Sequence, residues 1–236
     1  MIKTDILIIG AGPTGLFTVF EAGLLKMKCH ILDSLTQPGG QCIELYPKKP
    51  IYDIPGYPEI IAGDLIENLL EQIKPFQPSY TLGETALNLD KLDDGSFKVT
   101  TDKGTEILAK IIAIAGGLGT FTPRKPNISN ISDYENKGIL YMIKDPSEFK
   151  DKKVVIAGGG DSALDWSIQL SKISKKVILI HRRNEFRGAN DSVASVQKLK
   201  DLGKIDVITP AQVEKLNGKS KLESIIIDVD GNKSKI

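Results

Sequence analysis

Two stretches of this sequence carry glycines at the spacing that seats a pyrophosphate. One is IIGAGPTG, residues 8–15; the other is IAGGGDSA, residues 156–163. In such a loop the first glycine permits a tight turn, the second lets backbone approach the phosphates, and the third lets a helix lie close on the preceding strand. Gly10, Gly12 and Gly15 fill these slots in the first loop, with Thr14 inside it. Gly158, Gly160 and Ala163 fill them in the second, and Asp161 and Ser162 lie between. A helix that starts in such a loop adds the partial positive charge of its N-terminus, which favours an anion.

The charge that follows each loop separates the ligands. After the first, Asp33 ends the next apolar run, and its carboxylate suits ribose hydroxyls while repelling a 2′-phosphate. That site reads as one for FAD or NAD. After the second comes HRRNEFR, residues 181–187, which places Arg182, Arg183 and Arg187 where an acid is otherwise found. Guanidinium forks match a phosphate, so that site reads as one for NADPH. His181 is expected to be structural, and Asp165 and Trp166 to pack on the helix of the loop.

The elements that position these residues follow from periodicity. Lys3 to Ile9 is an apolar strand, Pro13 to Met27 has helical spacing through Leu16, Phe20 and Leu24, and Lys28 to Leu32 is again strand-like. A loop rich in Pro, Gly and Tyr runs from Thr36 to Tyr57, followed by a helix from Gly63 to Ile73. Ser96 to Thr101 and Glu106 to Ala115 flank a turn and read as a hairpin. The pattern then repeats, with strands at Lys153 to Ala157 and Lys176 to Ile180 around a helix from Ser162 to Ile173. Further strands are expected at 205–209 and 222–228, with Asp230-Gly231 as a hairpin turn. The fold class is therefore α/β, with two Rossmann-like dinucleotide-binding modules, and the seam is expected in the Gly- and Pro-rich stretch between Thr120 and Pro126.

Bulk properties narrow the function further. The chain has 236 residues, 41% of them hydrophobic and 26% charged, with a formal net charge of +1, which is ordinary globular composition. Its basic residues are dispersed among acids, so a nucleic-acid partner is not expected. No apolar run approaches the roughly 20 residues that cross a bilayer, and no signal-peptide profile opens the sequence, so a cytoplasmic protein is expected. Cys29 and Cys42 form neither a CxxC nor a His/Cys cluster, which points away from a disulfide framework or a metal site and toward small buried residues.

Taken together, IIGAGPTG, Asp33, GGQC at residues 39–42, the AGG turn at 115–117, GGGDSA and HRR resemble the thioredoxin-reductase-type branch of the two-dinucleotide flavoproteins. Within that branch, ELYPKKPIYDIPGYP and IAGGGDSALDW are similar to its ferredoxin–NADP reductases. The resemblance runs the whole length of the chain. Thioredoxin reductases carry a redox-active CxxC just before the second glycine loop, where this chain reads GILYMIKDPSEFK, residues 138–150. Without a thiolate there to take electrons from a flavin and attack a disulfide, disulfide reduction is not expected.

The resemblance implies FAD and NADPH as cofactors, a fold of the three-layer ββα type, and a homodimer. It implies hydride transfer from NADPH to FAD and then single-electron transfer to ferredoxin or a flavodoxin-like acceptor. The cofactors carry that chemistry, so no catalytic side chain is named. It also implies that Gln41, Tyr46, Ala86 and Phe121 join Gly10, Gly12, Thr14, Gly15 and Asp33 around FAD, Tyr46 as a platform for the flavin ring. Residues 1–119 are then the FAD-binding domain and 120–236 the NADPH-binding domain. In this family the chain returns to the FAD domain after building the NADPH domain, and no returning glycine-aspartate motif is read before Ile236; DVDGNKSKI fits a hairpin tip. The FAD module is therefore expected to be incomplete. The alternatives are a truncated fragment that binds both nucleotides without turnover and a thioredoxin-reductase-like flavoenzyme that lacks the dithiol.

Overall fold

The computed structural model describes residues 1–119, 125–128 and 130–236. It divides into two compact units, Met1–Thr122 with Met142–Asp145, and Pro123–Tyr141 with Pro146–Ile236.

The first unit opens with β1 (Ile2–Ile9), α1 (Pro13–Leu24) and β2 (Cys29–Asp33). Pro13 suits the first turn of α1, where its missing N–H costs nothing. The helix stops at Leu24, short of the expected Met27, because Lys26 turns left-handed at φ 58°. Then come α2 (Gly40–Glu44), the short pair β3 (Pro50–Ile51) and β4 (Ile60–Ile61), α3 (Ala62–Ile73), β5 (Ser79–Leu82), β6 (Ala86–Lys91), β7 (Phe97–Thr101) and β8 (Glu106–Ile114). Six of these strands form one sheet in the order β5-β2-β1-β8-β7-β6, parallel from β5 to β8 and antiparallel beyond.

Strand alternation assigns the two faces of that sheet. Ile6, Ile8 and Ile31 pack with Leu16 and Val19 of α1 and Ile66 and Ile73 of α3. Leu7 and Leu32 point the other way, into a cluster with Val99, Ile107 and Ala109. A strand covered on both faces must be apolar throughout its length, which is why ILII of β1 and CHIL of β2 show no polar alternation except His30. His30 is buried but satisfied, its Nδ1 2.7 Å from Ser79 Oγ and its Nε2 2.8 Å from Thr81 Oγ1 on β5.

The second unit contains β9 (Lys153–Ala157), α4 (Asp161–Leu170), β10 (Lys176–Ile180), α5 (Asn190–Asp201) and β11 (Ile205–Ile208), with a parallel sheet in the order β11-β10-β9. It continues with β12 (Gln212–Asn217), β13 (Ser224–Val229) and β14 (Asn232–Lys235), an antiparallel sheet whose β13–β14 turn is Asp230-Gly231, both at positive φ. Ile178 and Ile180 of β10 meet Leu216, Ile225 and Ile227 of that sheet in one core. On the opposite face, α4 packs on β10 and α5 on β11, burying Leu164, Leu170 and Val196. Helix α4 ends at Leu170 rather than Ile173, the last three residues closing as turns. No described helix is long and apolar enough to cross a membrane.

Candidate functional site

Both glycine loops join a strand to a helix, and the same backbone bonds hold them. Gly10 N–H donates to Leu32 O at 2.8 Å, and Gly158 N–H donates to Ile180 O at 3.0 Å. Ala11 O accepts from Gly39 N–H at 2.8 Å, and Gly159 O accepts from Arg187 N–H at 2.7 Å. Two backbone bonds of one loop thus have counterparts in the other. This equivalence shows that His181, not an arginine, stands in the place of Asp33, and that the arginines follow it.

In the first loop each glycine has its own reason. Gly10 lies at φ +109°, and a Cβ there would sit 2.3 Å from Ala115 O. Gly15 has no room either, since its Cβ would meet Gly10 O at 1.9 Å. Gly12 is different: its backbone is extended at φ −73° and ψ −179°, and the nearest atom to a Cβ would be Gly40 Cα at 3.9 Å. Nothing in the protein itself requires a glycine there. Gly160 repeats this, at φ −102° and ψ −179° with no atom within 4 Å of a Cβ. Each of these residues is the N-cap of its helix, and neither α1 nor α4 has a side-chain cap. The favoured N-cap residues, Ser, Asp, Asn and Thr, are absent at the two places where bare backbone faces open space.

The cradle around the first loop gathers most of the residues expected there. A cavity of about 320 Å³ is lined by Gly10, Gly12, Thr14, Asp33, Gln41, Tyr46 and Ala86. Gly15 lies beneath, buried against the strand. Phe121 lies outside the described residues. Asp33 Oδ2 accepts from Ala11 N–H at 2.5 Å and Oδ1 from Leu35 N–H at 2.8 Å, which leaves each oxygen able to accept a further bond. Gln41 is delivered by α2, whose Gly40, at φ +54°, comes so close to the loop that a Cβ would lie 2.9 Å from Gly12 Cα. Tyr46 carries Lys49 Nζ 5.6 Å from its ring centre, and burial, aided by neighbouring Cys42, pushes its phenol up to about 12. Its hydroxyl is therefore a neutral donor at any working pH.

Sequence reasoning did not single out Gly40, Thr85 or Cys42 as cavity residues. Gly40 and Cys42 belong to the GGQC stretch, and their placement depends on the start of α2 lying against the loop. Burial raises the thiols of Cys42 and Cys29, so both stay protonated and neither is a nucleophile. Among the described residues no group of His, Cys, Asp and Glu is arranged to hold a metal ion.

At the second loop, Gly158 is held not by left-handed backbone but by Ala163, whose Cβ would be 2.8 Å from its own. Ala189 N–H donates to Asp161 Oδ1 at 2.7 Å, which with the Arg187–Gly159 bond fastens residues 182–189 against the loop. Asp161 thus serves as a brace, while Ser162 is exposed in the first turn of α4. Arg182, Arg183 and Arg187 are all exposed and make no ion pair with the described residues. Three guanidinium groups without an ion pair among the described residues, on a braced turn beside a bare helix N-terminus, suit an anion.

The pyridine nucleotide-disulphide oxidoreductase family model matches residues 4–236. The chain belongs to this family. It is 66% identical to the ferredoxin–NADP reductase of Flavobacterium johnsoniae over 236 residues, covering 100% of this chain and 67% of that protein. It is also 66% identical to ferredoxin–NADP reductase 2 of Christiangramia forsetii over 227 residues, covering 96% of this chain and 64% of that protein. The chain thus spans about two thirds of the length of these relatives. Among solved structures it is similar to T. acidophilum thioredoxin reductase, with a TM-score of 0.84 and 24% identity over 100% of this chain and 74% of that one. That likeness establishes the fold, two nucleotide-binding modules of the same design, as the paired loops already indicated.

Proposed function

We propose that this chain belongs to a flavoprotein oxidoreductase that moves a hydride from NADPH to FAD and then passes single electrons to ferredoxin or a flavodoxin-like acceptor. In this reading residues 1–119 bind FAD and residues 120–236 bind NADPH. The observation that carries it is the pair Gly12 and Gly160, glycines that the protein's own sterics do not need, followed by opposite charges at Asp33 and the arginine turn. The ferredoxin–NADP reductase relatives at 66% identity support the choice of substrate and acceptor. The same reading includes a homodimer in the cytoplasm, and neither nucleic acid nor membrane as partner.

The residues of the first cavity fit an FAD. Gly12 leaves room for a pyrophosphate against the N-terminus of α1, and Asp33 keeps lone pairs for ribose hydroxyls. Gln41 and Tyr46 line the remainder of the cavity, an amide and a flat ring suited to the polar edge and face of a flavin. FAD, when bound, supplies the conversion between a two-electron donor and a one-electron acceptor. In the second unit, Gly160 and Ser162 offer backbone to the NADPH pyrophosphate while Arg182, Arg183 and Arg187 neutralise its 2′-phosphate. No side chain is asked to act as acid, base or nucleophile, in keeping with the protonated cysteines.

A visible absorption spectrum of the purified chain with FAD, before and after anaerobic NADPH, tests the reading. Bound flavin that bleaches on addition of NADPH is the expected result. Flavin that binds and does not bleach supports the reading of a chain that holds nucleotides without turnover. A protein that binds neither FAD nor NADPH overturns the proposal.

A further inference from the structure

His181 opens the arginine turn as a buried polar residue. It stands where the first module has Asp33, yet it is only 6% exposed and its Nε2 is buried without a hydrogen-bond partner. Its ring lies flat under the glycine loop, so that a Cβ on Gly159 would be 2.4 to 2.5 Å from three of its atoms. On another side it stacks on Phe186, with centroids 5.6 Å apart and planes inclined by 24°. A phenylalanine or leucine would fill such a place without burying an unmet polar atom.

The surroundings explain how a histidine is kept neutral there. Burial holds its pKa below the ordinary histidine value, and the charges of Arg187, Arg183 and Arg182 act in the same direction, opposed by a hydrogen bond with the backbone of Glu185. From the other elements packed against it, the glycine loop and α4 present Asp161, whose carboxylate is engaged with Ala189 N–H, and the end of β11 with the residues after it presents backbone bonds at Ile208 and Ala211. Burial is thus the main reason that this ring stays neutral, and the three exposed cations add to it.

We propose that His181 is a proton-linked positioning residue of the arginine turn. It is neutral in the free protein and takes up a proton from solvent when a 2′-phosphorylated nucleotide docks, a step that the unphosphorylated nucleotide does not induce. The inference rests on the reading of residues 181–187 as a 2′-phosphate site. A dianion placed among Arg182, Arg183 and Arg187 offsets most of the repulsion that these cations exert on the ring, and a nearby opposite charge raises the pKa of a group that titrates to a cation. Nε2, buried without a partner in the free protein, is the nitrogen left to take up that proton.

The chain has only two histidines, so its imidazole Cε1–H resonances can be followed by NMR with His30 as an internal control. Titrations are run on the free protein, with saturating NADP+ and with saturating NAD+. The expected result is an upward move of the His181 midpoint by about one pH unit or more with NADP+, little with NAD+, and none for His30. In the free protein, Arg182→Gln with Arg183→Gln raises the His181 midpoint, because two of its repelling charges are gone. If NADP+ binds and the His181 midpoint stays in place, proton linkage is overturned while the nucleotide reading stands. If the arginine variant leaves the free midpoint unmoved, the electrostatic argument fails. If NADP+ does not bind at all, the 2′-phosphate reading falls and takes this inference with it.

Discussion

Replacing Gly160 by serine separates what the fold needs from what the ligand needs. The residue is extended, has no atom within 4 Å of a Cβ, and caps α4 without a side-chain bond. A non-glycine residue in a compatible conformation stabilises by about 0.4–1 kcal/mol through the unfolded chain, and a serine cap adds a few tenths over glycine. With roughly 2–4 °C of Tm per kcal/mol at this chain length, Gly160→Ser is expected to melt about 1–5 °C higher than the wild type. The same side chain takes the space in which a pyrophosphate approaches the helix N-terminus. Loss of one charge-assisted hydrogen bond, about 1.5–3 kcal/mol, weakens NADPH binding by about 10- to 150-fold. Thermal melting followed by circular dichroism and NADPH titration by tryptophan fluorescence give the two readouts. A fall in Tm of several degrees would mean that the fold itself needs this glycine, and unchanged NADPH affinity would mean that no ligand lies there; either result refutes the reasoning.

Three further predictions concern charge. Asp33→Asn keeps the shape of the side chain and removes the anion that accepts from Ala11 and Leu35, so it should lower Tm and weaken FAD binding by at least tenfold, measured by flavin fluorescence quenching. Arg182→Ala with Arg183→Ala should weaken NADPH binding much more than NADH binding; an equal loss for both, by titration calorimetry, contradicts the assignment of the turn. Stability should fall as pH drops below about 6.5, the ordinary histidine value, because burial lowers the folded-state pKa of His30 and His181 and the unfolded chain then binds more protons. Each histidine adds at most about 1.4 kcal/mol per pH unit to that slope until its folded value is reached. Tm measured between pH 7.5 and 5.5 checks the sign, and His30→Gln should flatten the curve.

The parallel cores were legible in the sequence because both faces of their strands are covered. KVVIA and KVILI are unbroken apolar runs bounded by glycine or histidine, and the expected spans Lys153–Ala157 and Lys176–Ile180 are those observed. Elements with one thin apolar stripe were missed. SYTL of β5 alternates polar residues that face His30, α5 buries Val196 alone, and QVEKLN of β12 is mostly polar. The five residues of α2 lie in what reads as a loop, since its start is fixed by contact with the first glycine loop rather than by its own propensity. Asp33 and the arginines were visible as types at a position, whereas the exchange of Asp33 for His181 emerged only from the matched backbone bonds of the two loops.

The two helices that begin at Gly12 and Gly160 start with amide groups that no side chain satisfies. In the proposed reading a nucleotide phosphate completes them, so each ligand is also a missing part of the secondary structure. By mass action, a ligand present at 100 times its Kd adds about 2.7 kcal/mol to the folded state. The lifetime of the protein against unfolding and proteolysis thus becomes a readout of dinucleotide supply: when the nucleotides run short, the chain that depends on them is the less durable one.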